Sequence, residues 1–326
     1  MRNILVTGGT GFIGSNLSAR LLELGYIVRI LRRPDSDLRV IKGLDVEHRF
    51  GDIRDAESLQ KAMDGCDTVF HTAAIVTFAR KVKALQHEVN VLGTRNVVSA
   101  SLSSHVERLV FTSSIAALGH PSPGEIATEL TAYNRGLHTG YKLSKHLAEK
   151  EVLAGVEKGL NAVIVNPSVV IGERDIRMHG GQLLREARRG LLPFYLAGGM
   201  NIAYVGDVVR GHISAAMKGR TGERYILGGH NLTHKEIFRR VAQLVGGRPP
   251  FAKLPTPLLR FGTIVIERVC DVVGIEPLIS SDMVAEAGMY NWFSSEKAKQ
   301  ELDYTVTSFD KTILAAYRWY KENGIL

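Results

Sequence analysis

The chain has 326 residues, 45% of them hydrophobic and 23% charged, and carries a formal net charge of +8 from 41 basic and 33 acidic side chains. That length and apolar share support one large α/β domain, or a nucleotide-binding domain with a smaller partner, and exclude a disordered chain. The basic excess favours anionic ligands without naming one, and no dense Lys/Arg run with interleaved aromatics points to nucleic acid. Cys66 and Cys270 are far apart and lack metal-type spacing, so neither a disulfide framework nor a bound metal is expected. No uncharged apolar run reaches the roughly 18 residues of a membrane span, and the sequence starts directly on its first strand without a secretory segment. A soluble cytoplasmic protein is the expectation.

Residues Asn3 to Gly14 read as strand, tight turn and helix start. Ile4, Leu5 and Val6 are apolar without alternation, as in a strand buried on both faces of a parallel sheet. Gly8 suits the turn, Gly11 lets a pyrophosphate approach the backbone, and Gly14 lets the following helix lie close to the strand. The helix, patterned by Phe12, Ile13, Leu17, Leu21 and Leu22, begins with free N–H groups and a positive dipole end. The spacing is GxxGxxG rather than GxGxxG; its place between strand and helix sets it apart from an ordinary Gly-rich turn.

A second strand, Tyr26 to Leu31, follows Gly25 and ends in Arg32-Arg33-Pro34. An acidic residue at such a tip would bind the ribose 2′-hydroxyl of NAD; a basic tip suits the 2′-phosphate of NADP. Asp35 is open to an argument for NAD but reads as a turn residue beyond the strand. Val46 to Phe50 is a third strand, leading to Gly51-Asp52-Ile53-Arg54-Asp55, with Asp55 placed to cap the next helix. Thr68 to His71 is a fourth strand, running into small residues at 72–74. A long helix over about Val82 to Ser101 contains Asn90-Val-Leu-Gly-Thr94. The strand Arg108 to Thr112 leads to Ser113-Ser114, and a helix from about Thr139 to Glu157 precedes the strand Ala162 to Val165 and Asn166-Pro167-Ser168. Six strand–helix alternations without internal repeats predict a doubly wound parallel sheet.

Beyond Pro167 the rhythm changes. Gln182 to Arg189 reads as a basic amphipathic helix, Asp207 to Met217 as a helix capped by Asp207, Glu223 to Leu227 as a strand, and Thr233 caps a helix to about Leu244. After a Pro/Gly-rich break the tail from Leu258 is mostly helical, with a stripe of Phe261, Ile264, Val265, Val269 and Val272 that reads as core-facing rather than membrane-facing. The expected organisation is a dinucleotide-binding domain over residues 1–170, also taking segments near 201–217, and a smaller, mainly helical substrate lobe over 171–326. Loops near Val76 to Arg80, Ala116 to His138 and Ser168 to Met178 are expected to build the substrate pocket with that lobe.

Tyr141-Lys-Leu-Ser-Lys145 puts a phenol and an ammonium one helical turn apart on one face. A phenol near pKa 10 is a poor proton-transfer group at neutral pH, and a nearby cation favours its phenolate. Lys145 can supply that charge while bonding ribose hydroxyls, and Ser114 can donate a hydroxyl to a substrate oxygen. In isolation the pair is also what a solvated helix face would show; its place after the fifth strand and the serine pair raises it above that.

TGGTGFIG, the Gly-Asp52-Ile step, HTAA, NVLGT, TSS, YxxSK and NPS stand in the order and spacing of the extended short-chain dehydrogenase/reductase superfamily, which the chain resembles over nearly its whole length. Through VRILRRP, VIVNPSVVIGERD and GERYILGG it is similar to the dihydroflavonol-4-reductase-like branch, particularly bacterial proteins called hopanoid-associated sugar epimerases. The resemblance implies a Rossmann-type fold with Tyr141 as general acid–base, Lys145 as its activator and ribose ligand, and Ser114 as the donor to a substrate carbonyl, with Ser113 as fallback. It implies that Gly8, Gly11, Phe12 and Ile13 bind the pyrophosphate, that Asp52 and Ile53 hold adenine, and that Arg33 contacts a 2′-phosphate. Arg32 stands where that branch more usually has an apolar residue, so the two arginines share or exchange this job. Ala73, Thr112, Pro167 and Ser168 fall at cofactor-lining positions; Asn90 and Asp207 fit either a supporting role or a plain cap or buried polar one.

The expected activity is hydride transfer between NADP and a ketone or alcohol of moderately apolar character, with NAD as the other cofactor to consider. A nucleotide-sugar epimerase or dehydratase holding NAD is the alternative, kept open by Arg174, Arg177, Arg185, Arg188 and Arg189 as diphosphate ligands. A non-catalytic sensor would have no need of Tyr141 and Lys145. The expected partner is a small-molecule substrate, with the chain a monomer or a homodimer.

Overall fold

A computed structural model describes residues 1–77, 82–122, 124–135, 140–255 and 288–326, together with Pro257, Leu259, residues 261–264 and Val284. Arg80, His138, Thr139, Val265, Val269, Cys270 and Val272 lie outside the described residues. In chain order the first half forms β1 (Asn3–Thr7), α1 (Phe12–Glu23), β2 (Ile27–Arg32), β3 (Glu47–Phe50), α2 (Ala56–Met63), β4 (Thr68–His71), α3 (Lys83–Gln86), a π-helical turn His87–Leu92, α4 (Gly93–Ser103) and β5 (Arg108–Thr112). The second half forms α5 (Gly140–Glu157), β6 (Ala162–Pro167), β7 (Val169–Ile171), α6 (Gly181–Arg188), β8 (Phe194–Tyr195), β9 (Gly199–Tyr204), α7 (Val205–Lys218) and β10 (Arg224–Leu227). It continues with β11 (His230–Thr233), α8 (His234–Val245), β12 (Ala252–Lys253), β13 (Tyr290–Asn291), α9 (Glu296–Leu302) and α10 (Phe309–Glu322).

Seven parallel strands make one sheet in the order β10-β6-β5-β4-β1-β2-β3. Successive side chains of a strand face opposite sides, and β1 shows it: Ile4 and Val6 pack with residues of α1 and α7, whereas Leu5 packs with residues of α2, α4 and α5. Both faces are thus covered, which is why β4, β5 and β6 have no exposed position. Each fully buried Leu, Ile or Val in these two layers contributes about 1.5–3 kcal/mol. The fold is a Rossmann-type doubly wound sheet. Its strand order reverses between β1 and β4, so a crevice opens beyond their carboxyl ends, the usual ligand position in such sheets.

A second core is built by α6, α8 and α10, with Leu184, Ile237, Val241, Ile313 and Tyr320 fully buried. A four-stranded sheet of β7, β9, β11 and β13 adjoins it. The Thr233 capping box opens α8, its side chain accepting from Glu236 N–H while Glu236 accepts from Thr233 N–H. Asp207 does not cap α7: it lies inside the first turn, buried, and accepts from the Thr307 N–H and hydroxyl and from Arg210. The expected single helix over residues 82–101 is broken by its π-helical turn, a feature frequent at functional sites. Phe261, on the expected apolar stripe, is 68% exposed. Among the described residues no helix is long and apolar enough to cross a membrane, and no group of three His, Cys, Asp or Glu side chains is placed to hold a metal.

Candidate active site

The glycine turn is shaped by contact. Gly8 has φ +71°, which favours glycine, and a Cβ on it would lie 2.6 Å from the Ala73 nitrogen. A Cβ on Gly14 would lie 2.3 Å from the Gly8 carbonyl oxygen and 2.7 Å from Thr72 Oγ1. The turn closes with Gly11 N–H donating to the Gly8 carbonyl at 2.8 Å. Gly11 is the N-cap of α1 and no side chain caps that end, so its first-turn N–H groups, including those of Phe12 and Ile13, face the crevice side of β1 without a side-chain acceptor. This cradle fits a pyrophosphate.

At the tip of β2, Arg32 stacks its guanidinium 4.3 Å from the Phe50 ring and donates from Nε to His48 Nδ1 at 3.1 Å. Arg33 pairs with Asp35 at 3.3 Å, both well exposed. Asp52 takes Arg54 side-on, with Nε at 3.0 Å from Oδ1 and NH2 at 2.9 Å from Oδ2, and that hydrogen-bonded cation holds its carboxyl below the usual range. Ile53 is buried against the start of α4, where a side chain on Gly93 would meet it at 2.7 Å.

The two serines after β5 diverge. Ser113 Oγ, buried, donates to Glu149 Oε1 at 2.6 Å. Ser114 caps a short 3-10 turn, accepting from Ala116 N–H at 3.1 Å, and its side chain is hydrogen-bonded to the hydroxyl of Tyr141. Burial pushes the Tyr141 phenol up, and the bond from Ser114 works against that. Lys145, also buried, donates from Nζ to the Thr112 carbonyl at 2.8 Å, 5.0 Å from the Phe111 ring centre. Burial lowers its ammonium to about 8, with the Glu149 charge pulling the other way. Thr112 Oγ1 bonds His212 Nε2 at 2.9 Å. Pro167 ends β6, and the adjacent Ser168 hydroxyl is buried without a hydrogen-bond partner, at the strand end where a cofactor amide or ribose would be met.

The model of the NAD dependent epimerase/dehydratase family matches residues 4–228 of this chain. The chain belongs to that family. It is an enzyme of the extended short-chain dehydrogenase/reductase type that uses NAD(P). It is 35% identical to a Synechocystis protein named as a candidate dihydroflavonol 4-reductase, over 98% of this chain and 94% of the relative. It is 30% identical to sterol demethylase protein B of Methylococcus capsulatus, over 99% of both. The crystal structure of gox2253 superposes with a TM-score of 0.90 at 39% identity, covering 100% of each chain.

Around this epimerase/dehydratase-family site, residues inside the HTAA and NVLGT motifs make contacts that the motifs did not specify. Asn90, in the π-helical turn, accepts from Ile75 N–H at 2.8 Å and donates to the Ile75 carbonyl at 3.1 Å and to Ser144 Oγ at 2.9 Å. Ser144 in turn donates to the Tyr141 carbonyl at 2.7 Å, so Asn90 ties the segment after β4 to the first turn of α5. His71 is fully buried between Thr7 Oγ1 at 2.7 Å and Thr94 Oγ1 at 3.0 Å, so residues Asn90, Gly93 and Thr94 of NVLGT each have a distinct contact. Burial, then Lys145, drives the His71 ring down to about 3 and keeps it neutral. Of the five arginines named as diphosphate ligands, Arg185, Arg188 and Arg189 line one concavity with Ile325 and Leu326, while Arg174 donates to the Val40 carbonyl.

Proposed function

We propose that this enzyme is an NADP-dependent reductase that interconverts a ring ketone and its secondary alcohol on a moderately apolar substrate. The observation that carries the reading is the buried Tyr141 hydroxyl bonded to Ser114. Burial keeps the phenol protonated at neutral pH, the form that reduction of a ketone consumes. The names of the relatives, a candidate dihydroflavonol 4-reductase and sterol demethylase protein B, speak for an apolar ring substrate.

The residues present fit a dinucleotide. The Gly8–Gly11 turn and the open end of α1 suit its diphosphate, Ala73, Thr112, Pro167 and the unpartnered Ser168 hydroxyl its nicotinamide half, Asp52 and Ile53 its adenine, and Arg33 with Arg32 a 2′-phosphate. When bound, the reduced nicotinamide supplies the hydride that adds to the substrate carbon. Ser114 donates to the carbonyl oxygen, and Tyr141 gives that oxygen its proton as charge develops there. The Lys145 cation offsets the charge left on the phenolate and binds ribose hydroxyls.

The test is NADPH consumption with dihydroflavonol and 3-ketosteroid probes. Tyr141→Phe is expected to keep NADPH binding and lose at least about two orders of magnitude in turnover. Wild-type turnover in that variant would overturn the role. Co-purification of oxidised NAD that is not consumed would favour the nucleotide-sugar epimerase or dehydratase reading instead.

A further inference from the structure

Glu149 lies one helical turn after Lys145 and two after Tyr141, on the same face of α5. It has no exposed surface. A carboxylate so buried is costly unless its oxygens are satisfied, and here every donor comes from the end of a sheet strand. Ser113 Oγ after β5 donates at 2.6 Å, Asn166 Nδ2 on β6 at 2.7 Å, and Arg224 Nε on β10 at 2.7 Å. Asn166 Nδ2 also donates to the Ser114 carbonyl at 3.0 Å. Drawing the Ser113 hydroxyl to one side leaves the next residue of this extended segment, Ser114, turned the other way, towards Tyr141.

We infer that Glu149 is the positioning residue of this site, holding Ser114 in place through Ser113 and Asn166 and keeping the neighbouring Lys145 cationic, with Arg224 tempering its charge from the rim. The inference rests on the reading of Tyr141 and Ser114 proposed above. Around Lys145 the other titratable neighbours are Tyr141 on α5, His71 on β4 and, behind Thr112, His212 on α7; both histidines are held neutral by burial. Arg224 is 30% exposed at its side chain and stands behind Glu149. Glu149 is the charge that raises Lys145 against burial, and Arg224 sits on the Oε2 atom of that same carboxylate.

The test titrates the full-length protein labelled with 13C at lysine Cε, followed by NMR, with the Lys145 signal assigned by its loss in Lys145→Met. The wild-type midpoint is expected near 8. Glu149→Gln should lower it by about one pH unit, Arg224→Gln should raise it, and Arg224→Lys should leave it close to wild type. A merely structural role would not move the two neutralising variants in opposite directions. A midpoint common to all variants would overturn the inference, and the Arg224 pair decides it even if Glu149→Gln does not fold. With a turned-over ketone, Glu149→Gln should lower kcat about tenfold without raising the KM for NADPH; an unchanged kcat would overturn the positioning of Ser114. The NMR midpoint needs no turnover, so loss of the Tyr141 reading would leave it standing as a separate result.

Discussion

Ser113 and Ser114 are neighbours in sequence and opposites in space: the first gives its hydroxyl to Glu149 at 2.6 Å, the second is bonded to Tyr141. The difference separates the two candidates for the carbonyl donor. Ser114→Ala is expected to lower kcat by roughly 10²–10³-fold with unchanged circular dichroism, as removal of one transition-state donor does. Ser113→Ala should cost about 1–3 kcal/mol of stability by leaving a buried carboxylate oxygen short of a donor, with a much smaller loss in kcat. Steady-state rates beside chemical denaturation would check both, and equal losses of kcat would contradict the division.

Arg33 is free to change partners. Its pair with Asp35 is exposed, at 58% and 77%, and such pairs are worth little. Arg32 is held against Phe50 and His48. Arg33→Ser should therefore weaken NADPH binding about 10- to 100-fold, the value of one charge-assisted contact, and leave NADH binding unchanged. Fluorescence titration with both nucleotides measures it; equal weakening for the two would exclude a 2′-phosphate contact.

Two buried histidines give stability a pH dependence. His71 is lowered to about 3 and His212 to about 4, in both cases chiefly by burial, against about 6.5 in an unfolded chain. Below 6.5 the unfolded chain takes up protons that the folded one refuses. Their contribution is complete above about pH 6.5 and is lost as pH falls towards 4 and then 3, with a slope approaching about 1.4 kcal/mol per pH unit for each ring. His212→Asn should remove one ring's share of the slope between pH 6.5 and 5; urea unfolding across that range would show it, and an unaltered slope would count against it.

Much of the fold could be read from local pattern. The apolar run Ile4–Val6 and the glycines after it announce a two-faced strand and a turn, because a missing Cβ at Gly8 and Gly14 answers a contact only a few residues away or one strand over. Tyr141 and Lys145 were legible because helical spacing puts them on one face and their place after the fifth strand and the serine pair sets them apart from a solvated pair. What the pattern could not supply is the identity of distant partners. Asp207 has the composition of a cap yet binds Thr307, a hundred residues later. Glu149 looks like one more charge on a helix, and only the pairing of β6 with β10 brings Arg224 to it. The π-helical turn at His87–Leu92 leaves no mark in composition: Asn90 reads as one more polar helix residue, and only the fold brings both backbone groups of Ile75 to its side chain.

The edge strand β10 has a consequence for how the chain matures. Its register against β6, Arg224 beside Ile164 through Leu227 beside Pro167, completes the nucleotide-binding sheet with a segment made after β7, α6, β9 and α7. Until that segment emerges from the ribosome, β6 is an open edge and Glu149 a buried anion without its guanidinium. The amino-terminal half therefore cannot finish folding in order of synthesis. Docking of β10 is a late, long-range step of the kind that slows folding.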